Sequence, residues 1–596
     1  MNGVYLCTER LNFNNMDGKL SPEEGKKREE SKEGYITRWK SVIPCPPVPD
    51  TNLASFLLRE MANHGGKQAL VDAVTGQHYT YSDICAMVPR VCANLAAAGV
   101  SAGDAVLLVS PNGIEFPIAQ LAIQLLPATC VAASPFLSPD ELVHVMRVGM
   151  ASWAVVDESV LGVIEKVTTM LPNTLREIWV IGSSSKSHPS FYSLMKTERW
   201  AAWPPQVENS SFNPAREVAL MQFSSGTTGL TKGVMLSHRN LLTLYMQVKC
   251  FVEDVDNKKK ASGEPDSEAD ILSRVLLFIP LHHNYATVTF NFVVTVGGCC
   301  VMMKTFSPHS FFNALQKYKI TYAPIVPHIA NFLLHTPLLK EYDITSLKSL
   351  ISASAPLPPS TKQALTTRMG CAMRQGYGLT ETCAGVATTI PHVYSKMGSV
   401  GRVMPYLEVK IVAPESSKGL PPGEEGEVWV RSPAIMLGYA NVPGGAASPP
   451  ALKEGGWLPT GDLGHCDHEG FLFITDRIKD IIKVKGFQVS PRELEDVLRR
   501  VEGVREVAVI GVPSPRLGEA PRAYVVPLPG EATPSSQALK DYVAARLPPH
   551  KHLAGGVQVV DAIPKNSIGK VLKRRLRDEY LRAEAPKKTA GPPSKL

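Results

Sequence analysis

The sequence has 596 residues and a formal net charge of +7, with 44% hydrophobic and 20% charged residues. Because a single hydrophobic core stops growing at roughly 250–300 residues, we expect at least two folding units. Ten Lys and Arg but only three Asp and Glu lie from Lys565 to the C-terminus, which accounts for the whole positive excess. The body of the protein is therefore close to neutral, which argues against a nucleic-acid-binding face before residue 565.

The eleven cysteines are scattered and form no CxxC pair. This spacing favours free thiols in a reducing compartment over a disulfide framework or a zinc site. Residues 1–42 are polar, mix acidic with basic residues and contain no apolar segment typical of a secretory signal. We therefore predict that residues 1–42 form a disordered leader.

Short apolar, β-branched runs alternate with helical patterns from about residue 43 to 415, which predicts parallel α/β layers. Two such runs are residues 105–110 and 319–325. The charged stretch at 254–270 indicates a surface insertion. The uncharged stretch at 285–303 is too polar for a membrane span, so we expect a buried helix and a buried strand there, and no transmembrane segment.

The pattern of predicted secondary structure changes after this region. From about residue 396 to 475, short strands separated by Gly and Pro turns predict a small antiparallel β unit. Beyond it, a helix opening at Arg492, strands at 504–512 and 523–526, and a helix at 535–547 predict a compact α+β unit.

A loop rich in Gly and hydroxyl residues, Ser-Ser-Gly-Thr-Thr-Gly-Leu-Thr-Lys-Gly at residues 224–233, lies between two apolar runs. Its backbone N–H groups and hydroxyls can surround phosphate oxygens, and Lys232 adds a mobile positive charge. Thr231 stands where a Walker A loop needs Gly. A flexible linker is the alternative, and it is disfavoured between apolar runs. The candidate phosphate ligands are Ser224, Ser225, Gly226, Thr227, Thr228, Gly229 and Lys232.

A second motif, Gln-Gly-Tyr-Gly-Leu-Thr-Glu at residues 375–381, places two glycines around an aromatic residue. The backbone can approach a flat base there, and the Tyr377 ring can stack on it. Glu381 is suited to hold Mg²⁺ on the phosphates. Asp462 suits ribose hydroxyls, and Arg477 suits the ribose or a phosphate. Each of these features also has an ordinary structural explanation. The candidates in the second motif are Gln375, Gly376, Tyr377, Gly378, Thr380 and Glu381.

Taken together and in this order, the motifs resemble those of the adenylate-forming superfamily of acyl-CoA ligases, carrier-protein adenylation domains and firefly-type luciferases. The resemblance covers about residues 45–580 and is nearest to the 4-coumarate–CoA ligases and their peroxisomal relatives. The segments that carry it are residues 224–233, 280–285, 352–356, 375–381, 457–462, 476–489 and 564–570.

The resemblance implies an α/β fold class with a large N-terminal AMP-binding domain and a small, mobile α+β lid domain. The large domain is expected to contain two α/β layered subdomains and a small β-barrel-like unit. With the leader at 1–42, we predict boundaries of 43–476 for the large domain and 477–580 for the lid. Residues 581–596 would form a flexible basic tail.

The resemblance also implies two half-reactions. A carboxylate attacks the α-phosphate of ATP and expels pyrophosphate, and the thiol of coenzyme A, the co-substrate, then attacks the acyl-adenylate and releases AMP. A carboxylate is anionic at neutral pH, so the first step needs no general base. Lys570, Lys232, Thr227, Thr228 and Mg²⁺ at Glu381 would offset the charge that develops on the phosphates.

Similarity to the family assigns several further residues. The family's hinge matches Lys479, and His283 matches a histidine between the carboxylate and the thiol route, with a core histidine as its alternative. Lys483 and Gln488 would act at the thioester step. Residues implied near coenzyme A are Lys304, Lys485 and Gly486. Residues implied in the acyl pocket are Tyr285, Thr289, Ala353 and Ser354.

The sequence departs from the family pattern at three places. Thr231 replaces a Pro of the phosphate loop, Ala353 and Ser354 vary a common Gly-Ala pair, and His282 replaces an aromatic residue of the phenylpropanoid ligases. These changes leave the acid open among an aromatic propenoate, a medium- or long-chain fatty acid and an oxylipin.

The last three residues, Ser594, Lys595 and Leu596, match the peroxisomal address that an import receptor reads. We therefore expect the protein in the cytosol before import and in the peroxisome afterwards. A luciferase-like oxygenase shares every motif and stays an alternative. A non-catalytic nucleotide-binding scaffold is disfavoured because Lys570 and Glu381 are present, and a carrier-protein adenylation domain because no carrier domain follows residue 580.

Overall fold

The computed structural model describes residues 7–8, 37–41, 43–183, 187–196, 212–224, 231–383, 385–414, 418–440, 452–565 and 569–584. Contacts divide the chain into two compact units. The larger unit runs to Thr460 and includes Gly464–Ile474. The smaller unit contains Gly461–Leu463 and continues from Thr475. The predicted domain boundaries and the hinge at Lys479 stay predictions.

The strands that the structure describes are, in chain order, β1 (Cys7–Thr8), β2 (Thr37–Lys40), β3 (Gln68–Asp72), β4 (His78–Thr80), β5 (Ala105–Val109), β6 (Thr129–Ala133), β7 (Trp153–Asp157), β8 (Ile178–Ile181), β9 (Val218–Ser224), β10 (Lys232–Ser237), β11 (Arg274–Leu277), β12 (Cys299–Met302), β13 (Tyr322–Ile325), β14 (Ser349–Ser352), β15 (Ala372–Tyr377), β16 (Ala387–Thr388), β17 (Gly401–Val403), β18 (Glu408–Val412), β19 (Gly426–Arg431), β20 (Gly438–Ala440), β21 (Leu458–Cys466), β22 (Phe471–Arg477), β23 (Ile482–Val484), β24 (Phe487–Val489), β25 (Val504–Ser514), β26 (Gly518–Pro527) and β27 (Val557–Val559).

The described α-helices are α1 (Leu53–Ala62), α2 (Tyr81–Ala98), α3 (Glu115–Leu125), α4 (Pro139–Gly149), α5 (Leu161–Met170), α6 (Phe191–Lys196), α7 (His238–Ser262), α8 (Glu268–Ile271), α9 (Asn284–Val296), α10 (Pro308–Lys317), α11 (Pro327–His335), α12 (Pro359–Met369), α13 (Pro491–Leu498), α14 (Ser536–Ala544) and α15 (Lys573–Glu584).

One sheet of the larger unit has the strand order β20-β10-β9-β6-β5-β7-β8. Its strands from β9 to β8 are parallel, whereas β10 and β20 run antiparallel to their neighbours. All five residues of β5 are buried because alternate side chains enter two different cores, with Leu108 in one and Leu107 in the other. Burial on both faces explains the continuous apolar run in the sequence.

The second sheet of the larger unit joins a parallel part to an antiparallel part. Its order is β1-β2-β18-β19-β21-β22-β17-β16-β15-β14-β13-β11-β12-β3-β4. The strand β15 pairs in parallel with β14 and antiparallel with β16. The predicted small antiparallel β unit therefore continues the parallel sheet through β15.

The smaller unit contains the third sheet, with the order β24-β23-β26-β25 and with β27 paired to β26. Helices α13 and α14 place Leu494, Leu498 and Leu539 against the sheet residues Val507 and Val525 in one core. The helices and strands that we predicted in this region are confirmed in type and order.

The predicted leader is wrong at its C-terminal end. The strand β2 pairs with β18, and the Trp39 ring is completely buried in the core of the antiparallel part. A four-residue strand is too short to give a periodic signal, so composition alone misplaced it. Most of the leader, and the predicted tail after Glu584, lie outside the described residues.

The predicted surface insertion at 254–270 is also wrong in part. Its first half continues α7 to Ser262, and Glu268 in α8 is only 2% exposed. Glu268 accepts hydrogen bonds from Arg374 at 2.7 and 3.0 Å and from Lys259 at 2.7 Å. Charged residues are buried here because they neutralise one another.

The apolar stretch after residue 284 forms α9 followed by β12, as predicted. No helix in the described part of the chain has both the length and the apolar character that crossing a membrane requires.

Candidate functional site

The ends of the predicted phosphate loop are held by a hairpin. Strands β9 and β10 pair antiparallel with Ser224 opposite Lys232. The Thr231 carbonyl oxygen accepts a hydrogen bond from the His144 ring at 2.8 Å. The backbone anchors of the loop are therefore fixed on the sheet. The predicted ligands Ser225, Gly226, Thr227, Thr228 and Gly229 lie outside the described residues, and their roles stay predictions.

The second motif lies at the end of β15, where the parallel and antiparallel parts meet. The Gln375 backbone N–H donates to Thr389 Oγ1 at 2.7 Å. A Cβ atom built on Gly376 would lie 3.8 Å from the Ala353 Cβ. The second motif, residues 375–381, which is the predicted base-binding motif (the base motif below), is thus adjacent to the predicted acyl pocket. Tyr377 is partly buried, Gly378 is exposed, and Thr380 begins the 3-10 turn Thr380–Thr382.

A tyrosine outside the predicted motifs, Tyr439, connects Glu381 with Lys232. The Tyr439 hydroxyl donates to Glu381 Oε1 at 2.8 Å. The Lys232 Nζ lies 4.8 Å from the centre of the Tyr439 ring, within the range of a cation–π contact. The structure therefore brings the predicted metal carboxylate and the predicted phosphate lysine together at one residue. No local motif marks Tyr439, because its strand β20 has only three residues.

The donor set at Glu381 fits Mg²⁺ that is bound largely through a nucleotide. Within the described ranges, no group of three or more His, Cys, Asp or Glu side chains could hold a metal ion by itself. Magnesium in phosphate-transfer sites usually has one or two carboxylate ligands and completes its shell with phosphate oxygens and water. A single carboxylate beside a phosphate loop is consistent with that pattern.

Two adjacent histidines precede α9. Burial lowers the pKa of the His283 imidazole to about 4, and lowers that of His282 well below its usual range. Their ring centres are 4.4 Å apart. Both imidazoles are therefore neutral at pH 7, so His283 can act as a hydrogen-bond donor or acceptor without placing a positive charge in the site. His282 is 5% exposed, which agrees with a structural role.

The predicted acyl-pocket residues belong to α9 and to the segment after β14. The Tyr285 hydroxyl donates to the Ile351 carbonyl oxygen at 2.9 Å and lies 3.3 Å from that of Ile325. Thr289 lies one turn later on α9 and donates to the Tyr285 carbonyl oxygen at 3.0 Å. Tyr285 is thereby fixed next to the strand that leads into Ala353.

Ser354 has a φ angle of +72°, in the left-handed region that non-glycine residues rarely adopt. A serine in this conformation therefore imposes local backbone strain at the predicted pocket.

Lys304, which similarity placed near coenzyme A, follows β12 and is half-exposed. Its Nζ lies 3.5 Å from Asp157 Oδ2. Asp157 is buried at the end of β7, so the salt bridge links the two sheets of the larger unit.

In the smaller unit, four of the predicted residues lie near one another. Asp462 pairs with Arg477 through a 2.8 Å salt bridge. Burial and the positive charges of Arg477 and Lys479 lower the pKa of Lys570 to about 8, against the opposing influence of Asp462 and Asp480. A lysine held beside two cations has a strong electrostatic preference for an anionic ligand such as a phosphate.

The residues predicted for the thioester step occupy a different element of the smaller unit. Strands β23 and β24 form a hairpin in which Lys483 and Gln488 are directly opposite, and both are exposed. Lys485 and Gly486 form its two-residue turn with φ angles of +47° and +85°. This geometry matches a type I′ turn and places the predicted coenzyme A residues at the hairpin tip.

Two family models match the chain. The model described as AMP-binding enzyme matches residues 57–440, and the model described as AMP-binding enzyme C-terminal domain matches residues 493–570. The first match spans more than half of the chain. The protein therefore belongs to the AMP-binding enzyme family, and the predicted adenylate-forming superfamily is confirmed.

Curated relatives cover most of the chain. A protein named probable CoA ligase CCL5 from Humulus lupulus is 33% identical over 86% of this chain and 90% of its own. Peroxisomal OPC-8:0-CoA ligase 1 from Arabidopsis thaliana is 30% identical over 90% and 94%. Luciferin 4-monooxygenase from Nipponoluciola cruciata is 32% identical over 90% and 96%. The predicted enzyme class, an AMP-forming acid–thiol ligase, agrees with the CoA ligases among them.

A solved structure supports the fold. ATP-bound MatB from Rhodopseudomonas palustris has a TM-score of 0.76 and 26% identity, covering 89% of this chain and 99% of its own. The predicted α/β class, with a large N-terminal domain and a small C-terminal domain, is confirmed.

Proposed function

We propose that this protein joins a carboxylic acid to coenzyme A, with ATP cleaved to AMP and pyrophosphate. The observation that carries the proposal is the adjacency of Gly376 in the base motif to Ala353 in the acyl pocket. An enzyme that forms an acyl-adenylate must hold its acid next to the α-phosphate of a bound nucleotide. Relatives named CoA ligases support the same reaction.

In the first half-reaction, the chain's task is to position two anions and to offset charge. Lys232 and Lys570 would supply positive charge to the phosphate oxygens, and Glu381 would hold Mg²⁺. When bound, Mg²⁺ would neutralise charge on the phosphates. Asp462 accepts hydrogen bonds from the ribose. The acid is already ionised, so neutral His283 can lie beside it without removing a proton.

In the second half-reaction, the coenzyme A thiol replaces AMP at the acyl carbon. Lys483 and Gln488 lie together on the β23–β24 hairpin, whereas Lys570 lies near Arg477, so the two steps use separate parts of the smaller unit. We propose that the unit presents them in turn, by rotation about Lys479. Burial lowers the pKa of His283 to about 4 and so keeps the imidazole uncharged at pH 7, where it can accept a hydrogen bond from the incoming thiol, whose proton is released to the solvent.

A test of the proposal separates the two half-reactions. A panel of aromatic propenoates, fatty acids and oxylipins is screened for ATP-dependent pyrophosphate release. Lys570→Ala should lower pyrophosphate release at least a hundredfold, because removal of a preorganised charge contact commonly has that effect. Thioester formation from a supplied acyl-adenylate should persist. Lys540→Ala on α14 is the matched control and should leave both steps unchanged. Equal losses in both steps would contradict the role of Lys570.

Oxygenation of the acyl-adenylate is a second candidate because a luciferin 4-monooxygenase is among the relatives. It shares the first half-reaction and differs in the co-substrate. Consumption of coenzyme A without uptake of O₂ supports the ligase, and uptake of O₂ with light emission supports the oxygenase.

We further propose that the protein acts in peroxisomes. The residues Ser594, Lys595 and Leu596 form a terminal import signal, and one relative is named peroxisomal. Deleting these three residues should make a fluorescently tagged protein cytosolic while leaving the purified activity unchanged, because the signal serves only the import receptor. A punctate distribution that persists after deletion would contradict this proposal.

A further inference from the structure

The segment that contains Tyr439 is attached to both halves of the nucleotide site in the larger unit. Its strand β20 pairs with β10, with Tyr439 opposite Val234. Just before the strand, the Leu437 N–H donates to the Met235 carbonyl oxygen, and the Met436 N–H donates to the Glu381 carbonyl oxygen, both at 2.9 Å. The backbone of one short segment therefore links the strand after the phosphate loop to the turn that carries Glu381.

The side chain of Tyr439 also links the two halves, because it contacts both the Glu381 carboxylate and the Lys232 ammonium group. Its hydroxyl donates to one oxygen of Glu381, Oε1, at 2.8 Å. A carboxylate has two oxygens, so Oε2 stays available as a metal ligand while the first oxygen fixes its direction. The face of the same ring lies 4.8 Å from the Lys232 Nζ. The ring thus defines where the ammonium group rests relative to the carboxylate.

We propose that Tyr439 is a positioning residue that holds Glu381 and Lys232 in the arrangement required for a magnesium-bound nucleotide. This inference rests on the proposed function for the roles of those two residues. Tyr439 itself contacts neither phosphate nor metal in the proposal. Its hydroxyl orients the metal ligand, and its ring supports the lysine, so the two contributions can be removed separately.

Binding of α,β-methylene ATP to the full chain tests this inference without catalysis. Isothermal titration gives the dissociation constant with Mg²⁺ and with EDTA, and their ratio measures how much the metal strengthens binding. Tyr439→Phe keeps the ring and removes the hydroxyl. The ratio should fall about tenfold, because a hydrogen bond to a charged group contributes on that scale. Tyr439→Leu should also weaken binding in EDTA, because Lys232 loses its aromatic support.

Tyr394→Phe is the matched control. Its hydroxyl donates to the carboxylate of Asp254 at 2.6 Å, so the substitution removes the same kind of bond elsewhere in the larger unit. The control should keep the wild-type ratio. A wild-type ratio in Tyr439→Phe, or an equal fall in the control, would overturn the inference. Failure of the wild-type chain to bind the analogue at all would instead contradict the proposed function.

Discussion

Replacing Lys570 with arginine should remove the fall in kcat/KM of the adenylation step at alkaline pH. Burial and two neighbouring cations lower the pKa of Lys570 from 10.5 to about 8. The amine of the free protein is therefore about 90% protonated at pH 7 and about 10% protonated at pH 9. If the positive charge is required, kcat/KM for ATP should fall about tenfold between these pH values.

The assay is ATP–pyrophosphate exchange in the absence of coenzyme A, because the coenzyme A thiol titrates in the same alkaline range. In Lys570→Arg the guanidinium stays charged above pH 12, so the alkaline fall in kcat/KM should disappear even if the maximum is lower. Lys410→Arg is the control, since burial also lowers the pKa of Lys410 to about 8 and this residue lies outside the nucleotide motifs. An alkaline fall that persists in Lys570→Arg, or disappears in Lys410→Arg, would refute the reasoning.

The same pKa has a consequence for stability. Between pH 8 and 10.5 the unfolded chain holds a proton at Lys570 that the folded chain has released, so the stability contribution of this group rises with pH across that window. Below pH 8 the charged lysine lowers the free energy of unfolding, by on the order of 3 kcal/mol at most. The predicted catalytic cation is thus held in a place that is unfavourable for the fold.

Three further substitutions test the fold around the site. Glu268→Gln should lower the free energy of unfolding in urea by about 3 kcal/mol because buried Arg374 loses its charge partner, whereas Glu264→Gln should not. Ser354→Gly should raise the free energy of unfolding in urea by about 1 kcal/mol, because glycine adopts a positive φ without strain; a lower free energy of unfolding in this variant would contradict the expectation. Lys479→Pro should lower overall thioester synthesis at least about a hundredfold while one half-reaction stays measurable, since proline restricts the backbone rotation; normal turnover in a folded variant would disprove the hinge.

The sequence predicted those elements whose signal is local. The strand β5 was predictable because burial on both faces requires an unbroken apolar run. The strand β12 was predictable for the same reason, since all four of its residues are buried. The small unit was predictable from its alternation of one helix, two long strands and another helix. The hairpin that carries Lys483 and Gln488 was not predicted, although a two-residue turn fixes its register over a short range of sequence.

Features that depend on long-range contacts were not predictable. The strand β2 has no pattern of its own and exists because Trp39 fills the core beside β18. The charges at 254–270 looked solvated because their partner, Arg374, is 106 residues away from Glu268. Likewise, Tyr439 is 58 residues from Glu381. A single sequence gives no sign that such residues meet.

Arg374 shows how a buried charge pair can serve the site. It immediately precedes Gln375, and its guanidinium binds Glu268 on one side and the Ser349 hydroxyl of the neighbouring strand β14. Gln375 itself is bonded to Thr389 on the opposite side of the strand. Sliding β15 by one residue would leave a buried charge without its partner, which is far more unfavourable than an apolar mismatch. The ion pair therefore fixes the register of β15, and with it the position of the predicted base motif beside the predicted acyl pocket.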